Sequence, residues 1–375
     1  MPLYLNDEQT MLRDTARDFV ADAAPVRHLR ELRDSKNPDG FSRDLWKQFA
    51  EMGFTGILIG EDQGGLGLGH VEAGVVLEEI GRNLTPSPFL ATAVAAVEAL
   101  KGSAQAERRF PGILSGETIA ALALDEGAKF RDTVGLKAER SGNGFKLTGT
   151  KQFVTHGHVA DFLIVSARTA GAAADAEGVT LFAIDKGAAG LSAEAERLAD
   201  SSVAARLTLE GVEVDADAVI GEVDGGRGLL DRLLAAGRAG ASAELLGVGA
   251  GAMDMTVGYL KERKQFGVTI GSFQALQHRA AHLYSELEVA RAAVLKAQQL
   301  LDAADPKADE AVPVAKAMSS LATALSVQEG VQMHGGIGMT DEYDIGFYMK
   351  RHRVLAEMFG DANYHADKLA RAAGY

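Results

Sequence analysis

Between Leu276 and Leu301 the apolar residues Leu276, Ala280, Leu283, Leu287, Ala290, Val294, Ala297 and Leu301 recur in alternating steps of four and three. This spacing puts them on one face of a helix about seven turns long. A stripe of that length must be covered by helices of similar length, so the C-terminal part of the chain is expected to be a bundle. A further apolar-periodic stretch follows with Val314, Met318, Leu321 and Leu325, after a break bracketed by Pro306 and Pro313. A last helix is expected over much of Asn363 to Ala373.

The period changes twice along the chain. The first third is helical. Asn6 is an N-cap candidate with Gln9 three residues on, Leu12, Ala16, Phe19 and Val20 share a face, and Ser42 is placed to cap a helix that Gly53 ends. Alanine-rich periodic stretches cover Val71 to Ile80 and Phe89 to Leu100. From about Gly116 to Ile220 the chain breaks into short β-type runs: Thr118 to Leu124, Phe145 to Thr155, Phe162 to Ser166, Val179 to Ile184 and Val203 to Leu209. Ser141-Gly142-Asn143-Gly144 is a hairpin signal, and no long helical pattern intervenes, so an antiparallel sheet is expected rather than βαβ units. The Ala-rich Thr169 to Gly178 stretch reads as a loop between strands. The expected domains are 1–116 (α-helical), 117–222 (β) and 223–375 (bundle).

Composition narrows the chemistry. With 47% hydrophobic residues in 375, the chain can bury a sizeable core, which excludes whole-chain disorder. There is no cysteine, which excludes disulfides, thiolate metal sites, iron–sulfur clusters and cysteine nucleophiles. Against 52 acidic residues stand 38 basic ones, a formal charge of −14 that disfavours nucleic acid and anionic membrane as partners. The first ten residues lack the basic-then-apolar pattern of a signal peptide, and no apolar run approaches ~18 residues, so a cytoplasmic protein without membrane insertion is expected.

Several motifs lead nowhere. The glycines of 64–69 and 247–251 do not have dinucleotide-fingerprint spacing, and close helix packing explains Gly247, Gly249 and Gly251 better. His278 and His282 stand four apart without a third ligand, so no metal site is expected. Three segments carry more: Tyr259-Leu260-Lys261-Glu262-Arg263-Lys264-Gln265-Phe266-Gly267 with Gly271-Ser272-Phe273-Gln274-Ala275; Gln332-Met333-His334-Gly335-Gly336-Ile337-Gly338; and Leu147-Thr148-Gly149-Thr150-Lys151-Gln152-Phe153-Val154-Thr155-His156. Singly, each has a bland reading as a helix end or a turn.

In this order, on a helix–sheet–bundle layout, they resemble the acyl-CoA dehydrogenase family, as do Glu61-Asp62-Gln63-Gly64-Gly65-Leu66-Gly67-Leu68 and Val76-Leu77-Glu78-Glu79-Ile80-Gly81-Arg82. Within the family, Gly271 to Arg279 and Met358-Phe359-Gly360-Asp361-Ala362 are most similar to small subunits of the pimeloyl-CoA dehydrogenase type. The resemblance implies an α+β, mainly α, fold: an N-terminal helical domain, a central β-barrel-like domain and a C-terminal four-helix bundle, usually in tetramers. It also implies FAD, α,β-desaturation of an acyl-CoA thioester, and an electron-transferring flavoprotein as acceptor.

Residue by residue, the resemblance places Arg263 on the FAD pyrophosphate of a neighbouring subunit, with Phe266 and Gln274 near the nucleotide. Gln332, Gly335, Gly336 and Gly338 form a turn beside it, and Phe153 and Thr155 contact the flavin ring. Phe359 falls where most members carry the catalytic Glu, and Gly237, before Arg238, falls at the alternative location. Asp361 is left as candidate base, with a helix N-cap as its other reading, and Arg238 as a candidate substrate contact. Glu244 is a poorer candidate base. Leu124 and Phe130 replace hydroxyl-bearing residues of a flavin-edge loop. Lys350, Arg351, His352 and Arg353 are a candidate patch for the CoA phosphates. The expected assembly is a homo-oligomer or a heteromer with a paralogous subunit. Two alternatives stay open: a silent partner subunit of an active paralogue, and a flavin oxidase or monooxygenase on the same scaffold.

Overall fold

The computed structural model describes residues 2–375, so Met1 of the N-terminal segment lies outside the described residues. Helices α1 (Asp7–Ala23), α2 (Val26–Asp34), α3 (Arg43–Glu51) and α4 (His70–Arg82) come first. A π-helix over Leu90–Ala96 leads into α5 (Val97–Leu100), followed by α6 (Ala104–Leu114). Strands β1 (Ala120–Ala123), β2 (Lys137–Ser141), β3 (Gly144–Thr155), β4 (Phe162–Arg168), β5 (Val179–Asp185), β6 (Leu191–Arg197), β7 (Val203–Val214) and β8 (Val219–Ile220) make the middle. Helix α7 (Arg227–Glu262) opens the last part. The hairpin β9 (Lys264–Gln265) and β10 (Val268–Thr269) follows, then α8 (Gln274–Asp302), α9 (Ala308–His334), α10 (Ile345–Glu357) and α11 (Ala362–Ala372). Among the described residues no helix is long and apolar enough to cross a membrane.

The chain divides into two compact units. One comprises the chain up to Glu31, His70–Thr85 and Arg238–Tyr375. In it α9 packs on α8, α10 and α11, and α4 packs on α1 and α8. Its core gathers Leu29, Leu84, Leu245, Val248, Ala252, Val327, Ile345, Phe347, Tyr348 and Leu355. The glycines of α7 work as the sequence suggests: a Cβ on Gly247 would lie 1.9 Å from Glu78 O, and one on Gly81 2.1 Å from Glu244 O, so the two helix backbones touch. Asn6 caps α1 through Oδ1, which accepts from Gln9 N–H at 2.8 Å, and Gln9 Oε1 in turn accepts from Asn6 N–H. The expected stripe of α8 is buried from Leu283 through Ala297, whereas Leu276 and Ala280 are only half-buried.

The other unit holds Leu32–Gly69 and Pro86–Gly237. Its sheet runs β6-β7-β3-β2-β4-β5-β8, with β1 paired to β4. The expected antiparallel arrangement needs correction at two pairs: β1 lies parallel to β4, Ala120 opposite Phe162, and β2 meets β4 in parallel at Lys137 and Arg168. The β2–β3 hairpin, not a helix, makes the crossover between β1 and β4. The hairpin turns where Ser141 to Gly144 predicted it. Two further details depart from the sequence reading. Pro313 sits inside α9 rather than before it; so near the helix start, its missing N–H deprives only the carbonyl of exposed Asp309. The Ala-rich loop after β4 is organised by buried Arg168, which donates to the carbonyls of Val134 (3.1 Å), Ala173 (2.9 Å), Asp175 (3.0 Å) and Glu177 (2.5 Å).

Candidate active site

The segments singled out in the bundle converge on one end of it. Leu260, Leu283 and Met333 form a small buried cluster to which Leu276 and Ile270 add. Arg263, Gln274 and Gln332 flank these anchors in sequence, and all three are exposed. Tyr259 stacks on His334, ring centroids 4.5 Å apart, one turn before Arg263 and one residue before Gly335. The guanidinium-bearing helix end and the glycine turn are therefore built on contacting residues. Phe266, at the tip of the β9–β10 hairpin with φ +55°, is 91% exposed and meets Phe273 edge-on at 6.3 Å. An aromatic left that bare by its own unit is a surface made to be covered.

The glycine turn discriminates among its own members. Gly335 has φ +64°, which only glycine adopts freely. At Gly336 a Cβ would meet nothing within 4 Å and φ is ordinary, so neither strain nor packing in this chain calls for glycine there. A close approach from outside would. Gly338 is different: it is buried, and its Cβ would sit 2.7 Å from Val331 O, so packing of the turn onto α9 accounts for it. A cation, an exposed aromatic and an accessible glycine backbone at one bundle end fit the pyrophosphate and adenosine parts of FAD.

In the sheet unit, β3 is irregular against β7 between Lys151 and Val154. The irregularity gives Phe153 φ +53° and turns its ring out to 47% exposure, with Thr155 half-buried two residues on. Lys151 lies two residues before Phe153. It is fully buried, and its Nζ donates to Leu124 O (3.1 Å), Glu126 Oε1 (2.7 Å) and Ser166 Oγ (3.0 Å). Burial pushes its pKa down in spite of Glu126. Burial likewise pushes the adjacent Asp125 carboxyl up to about 6, against the attraction of Lys151. Leu124 and Phe130 line a cavity of about 10 Å³ with Leu230 and Leu234, so this loop packs through apolar side chains.

The loop between α10 and α11 holds Phe359, Gly360 and Asp361, where the resemblance leads one to look for a base. Phe359 is buried at 7% exposure with φ +59°, followed by Gly360 at φ +105°. Asp361 is the N-cap of α11: its Oδ1 accepts from Tyr364 N–H at 2.8 Å. Arg238, expected as a substrate contact, is buried, and its Nε donates to Phe359 O at 3.0 Å. Lys316 is fully buried in α9 and its Nζ donates to Ala356 O (3.0 Å), Gly360 O (3.2 Å) and Ser320 Oγ (3.4 Å). Burial, helped by Arg238 and opposed by Asp361 and Glu357, lowers the Lys316 pKa to about 7. His365, fully buried in the first turn of α11, is pushed down to about 3 by burial and by Arg238 and Lys316. Neither Lys316 nor His365 carries a sequence signal, because nothing in α9 or α11 announces which residues face this loop.

Two sequence expectations fail here. Glu244 is buried and paired with Arg351, which removes it as a base. The same pair breaks up the proposed CoA patch. His352 Nε2 donates to Ser320 O at 3.0 Å, Lys350 lies 5.5 Å over the Phe347 ring, and Arg353 alone of the four is classed as exposed.

Comparisons with known proteins agree with this geometry. Models of the acyl-CoA dehydrogenase N-terminal, middle and C-terminal domains match residues 6–117, 122–212 and 224–374. Mitochondrial isovaleryl-CoA dehydrogenase of Pongo abelii is 32% identical over 365 residues, covering 92% of this chain and 84% of its own. A solved chain from the electron-transferring flavoprotein study of Acidaminococcus fermentans superimposes with TM-score 0.91 at 28% identity, covering 100% of both chains. A chain of the ChsE4–ChsE5 complex from Mycobacterium tuberculosis does so with TM-score 0.89 at 28% identity, again covering 100% of both. The chain belongs to the acyl-CoA dehydrogenase family, FAD-dependent oxidoreductases that act on the CH–CH bond of acyl-CoA thioesters.

Proposed function

We propose that this chain desaturates an acyl-CoA at the α,β bond and passes the electrons to an electron-transferring flavoprotein. The observation that carries the reading is the bundle end where Arg263, bare Phe266 and the Gly335–Gly336 backbone lie on contacting supports. In this reading Arg263 takes the pyrophosphate of FAD bound to a neighbouring copy or a paralogous chain. Phe266 and Gln274 cover the nucleotide, and Gln332, Gly335 and Gly336 let it approach, with Gly338 fixing their turn. Phe153 and Thr155 face the ring. When bound, the flavin supplies the hydride acceptor. The protein's task is to hold the acyl chain and remove the α-proton, which needs a carboxylate within reach. Asp361 is the proposed base, and Arg238 acts by holding the Phe359 carbonyl behind it. The expected domains are 1–116, 117–222 and 223–375, and the expected compartment is the cytoplasm.

The Asp361→Asn protein tests the base. Asn caps a helix as well as Asp, so α11 and bound FAD should persist while anaerobic bleaching by an acyl-CoA is abolished; unchanged bleaching would discard Asp361. A second reading is favoured by a specific observation. Asp361 is occupied as a cap, and Phe359 and Gly237 hold no carboxylate. On that reading the chain is the silent subunit that completes the FAD pocket of an active paralogue. A colourless purified chain that gains flavin only with a second polypeptide would select it.

A further inference from the structure

His334, the last residue of α9, forms a three-ring cluster with two tyrosines. Tyr259 stacks on it at 4.5 Å with planes 29° apart, and Tyr343 meets it at 4.9 Å and 51°. Tyr259 and Tyr343 also touch, edge-on at 6.0 Å. The three rings come from three separate segments: the end of α7, the end of α9 and the loop before α10. His334 is buried, and its Nδ1 donates to Gly330 O at 2.7 Å, which fixes the tautomer and leaves Nε2 as a lone-pair acceptor. That nitrogen is buried with no hydrogen-bond partner among the described residues. Burial lowers the His334 pKa, which favours the uncharged ring in the stack.

A bare packing role would be met by leucine, without burying a ring nitrogen. A ring fixes orientation as well as volume. Here orientation has a use. Gly335 follows His334 directly, and the N–H of Arg263 donates to Tyr259 O at 2.8 Å, one helical turn from the stacked ring. Tyr343, which touches both other rings, is tied down by its neighbour Asp344, which accepts from Arg30 at 2.5 Å. The ring cluster therefore sets the distance and angle between a helix end bearing a guanidinium and the start of the glycine turn.

We propose that His334 is a positioning residue for the flavin nucleotide, acting through its stack with Tyr259 and Tyr343. This rests on the reading that Arg263 and the Gly335 turn grip FAD. The test uses the full-length holoprotein and two variants of similar volume, His334→Leu and His334→Phe, with FAD dissociation followed by flavin fluorescence. Thermal midpoints are measured on the FAD-stripped chains. Leucine removes the ring, and the FAD dissociation constant should rise about tenfold, in line with the loss of two aromatic contacts. Phenylalanine keeps the ring and should stay within about twofold of wild type. An unchanged constant in His334→Leu overturns the inference, even if its stripped midpoint falls, because that is packing alone. A loss in His334→Phe as large as in His334→Leu also overturns it, since a ring nitrogen, Nε2 or the Nδ1 that donates to Gly330 O, would then be the active group. A wild-type chain that binds no FAD, alone or with a paralogue, would refute the underlying reading as well.

Discussion

Replacing Lys316 with methionine removes a buried ammonium while keeping most of the side-chain volume. The fall of its pKa from 10.5 to about 7, at ~1.4 kcal/mol per pH unit, means that the charged form costs about 5 kcal/mol in the folded chain. The sign follows from proton counting. Below about pH 7 both folded and unfolded chains hold the proton, and the full cost is carried. Between about 7 and 10.5 the unfolded chain still holds it and the folded chain does not, so stability rises with pH. From pH 6 to pH 9 this recovers about 2.5 kcal/mol. Lys316→Met has no such gain. It instead leaves the Ala356 and Gly360 carbonyls without their donor, at ~1–3 kcal/mol each and independent of pH. The groups facing Lys316 are Arg238, Asp361, Glu357 and His352, with His365 just beyond, and all are present in both proteins. Urea unfolding of the two proteins at pH 6 and pH 9, at fixed excess FAD, should show wild type gaining about 2.5 kcal/mol on the variant. Parallel pH dependences would refute the reasoning.

Further expectations concern the same loop. Asp361→Ala should lose about 1 kcal/mol through the uncapped Tyr364 N–H, visible as a lower urea midpoint that Asp361→Asn does not share. Phe359→Glu puts a carboxylate at the family's base position on a backbone already held at φ +59°. It should speed anaerobic bleaching by an acyl-CoA, and a rate equal to wild type would count against the alignment of this loop. His365 is held down to about 3, well below an ordinary histidine. As pH falls through about 6.5 the unfolded chain takes up a proton that the folded chain refuses, so stability should drop towards pH 4 by up to ~1.4 kcal/mol per unit. His365→Phe should flatten that acid limb in a denaturation series.

The parts of this structure that were legible in the sequence rest on local chemistry. The capping box at Asn6 and Gln9 and the Ser141–Gly144 hairpin depend on a few adjacent residues and stand as read. The Gly247 contact was readable because glycine inside a strong helical pattern has few other uses. The parallel β1–β4 pair was not, because pairing partners 42 residues apart leave no trace in either strand's period. Pro313 misled for a related reason: proline marks a break only when the carbonyl it deprives has no water. The site divides in the same way. Arg263, Phe266 and Gly335 are proposed through a motif, whereas Lys316, His365 and the ring cluster around His334 are assembled from distant segments. The Lys350 to Arg353 cluster looked basic in one dimension, but helical geometry sends those side chains to different partners.

The most direct test is an anaerobic titration of the purified FAD-loaded chain with a panel of acyl-CoA thioesters, following flavin absorbance. At least one should bleach the flavin, with colour returning on addition of an electron-transferring flavoprotein. A fully loaded chain whose flavin stays oxidised with every thioester, alone and with a paralogous subunit, would contradict the account.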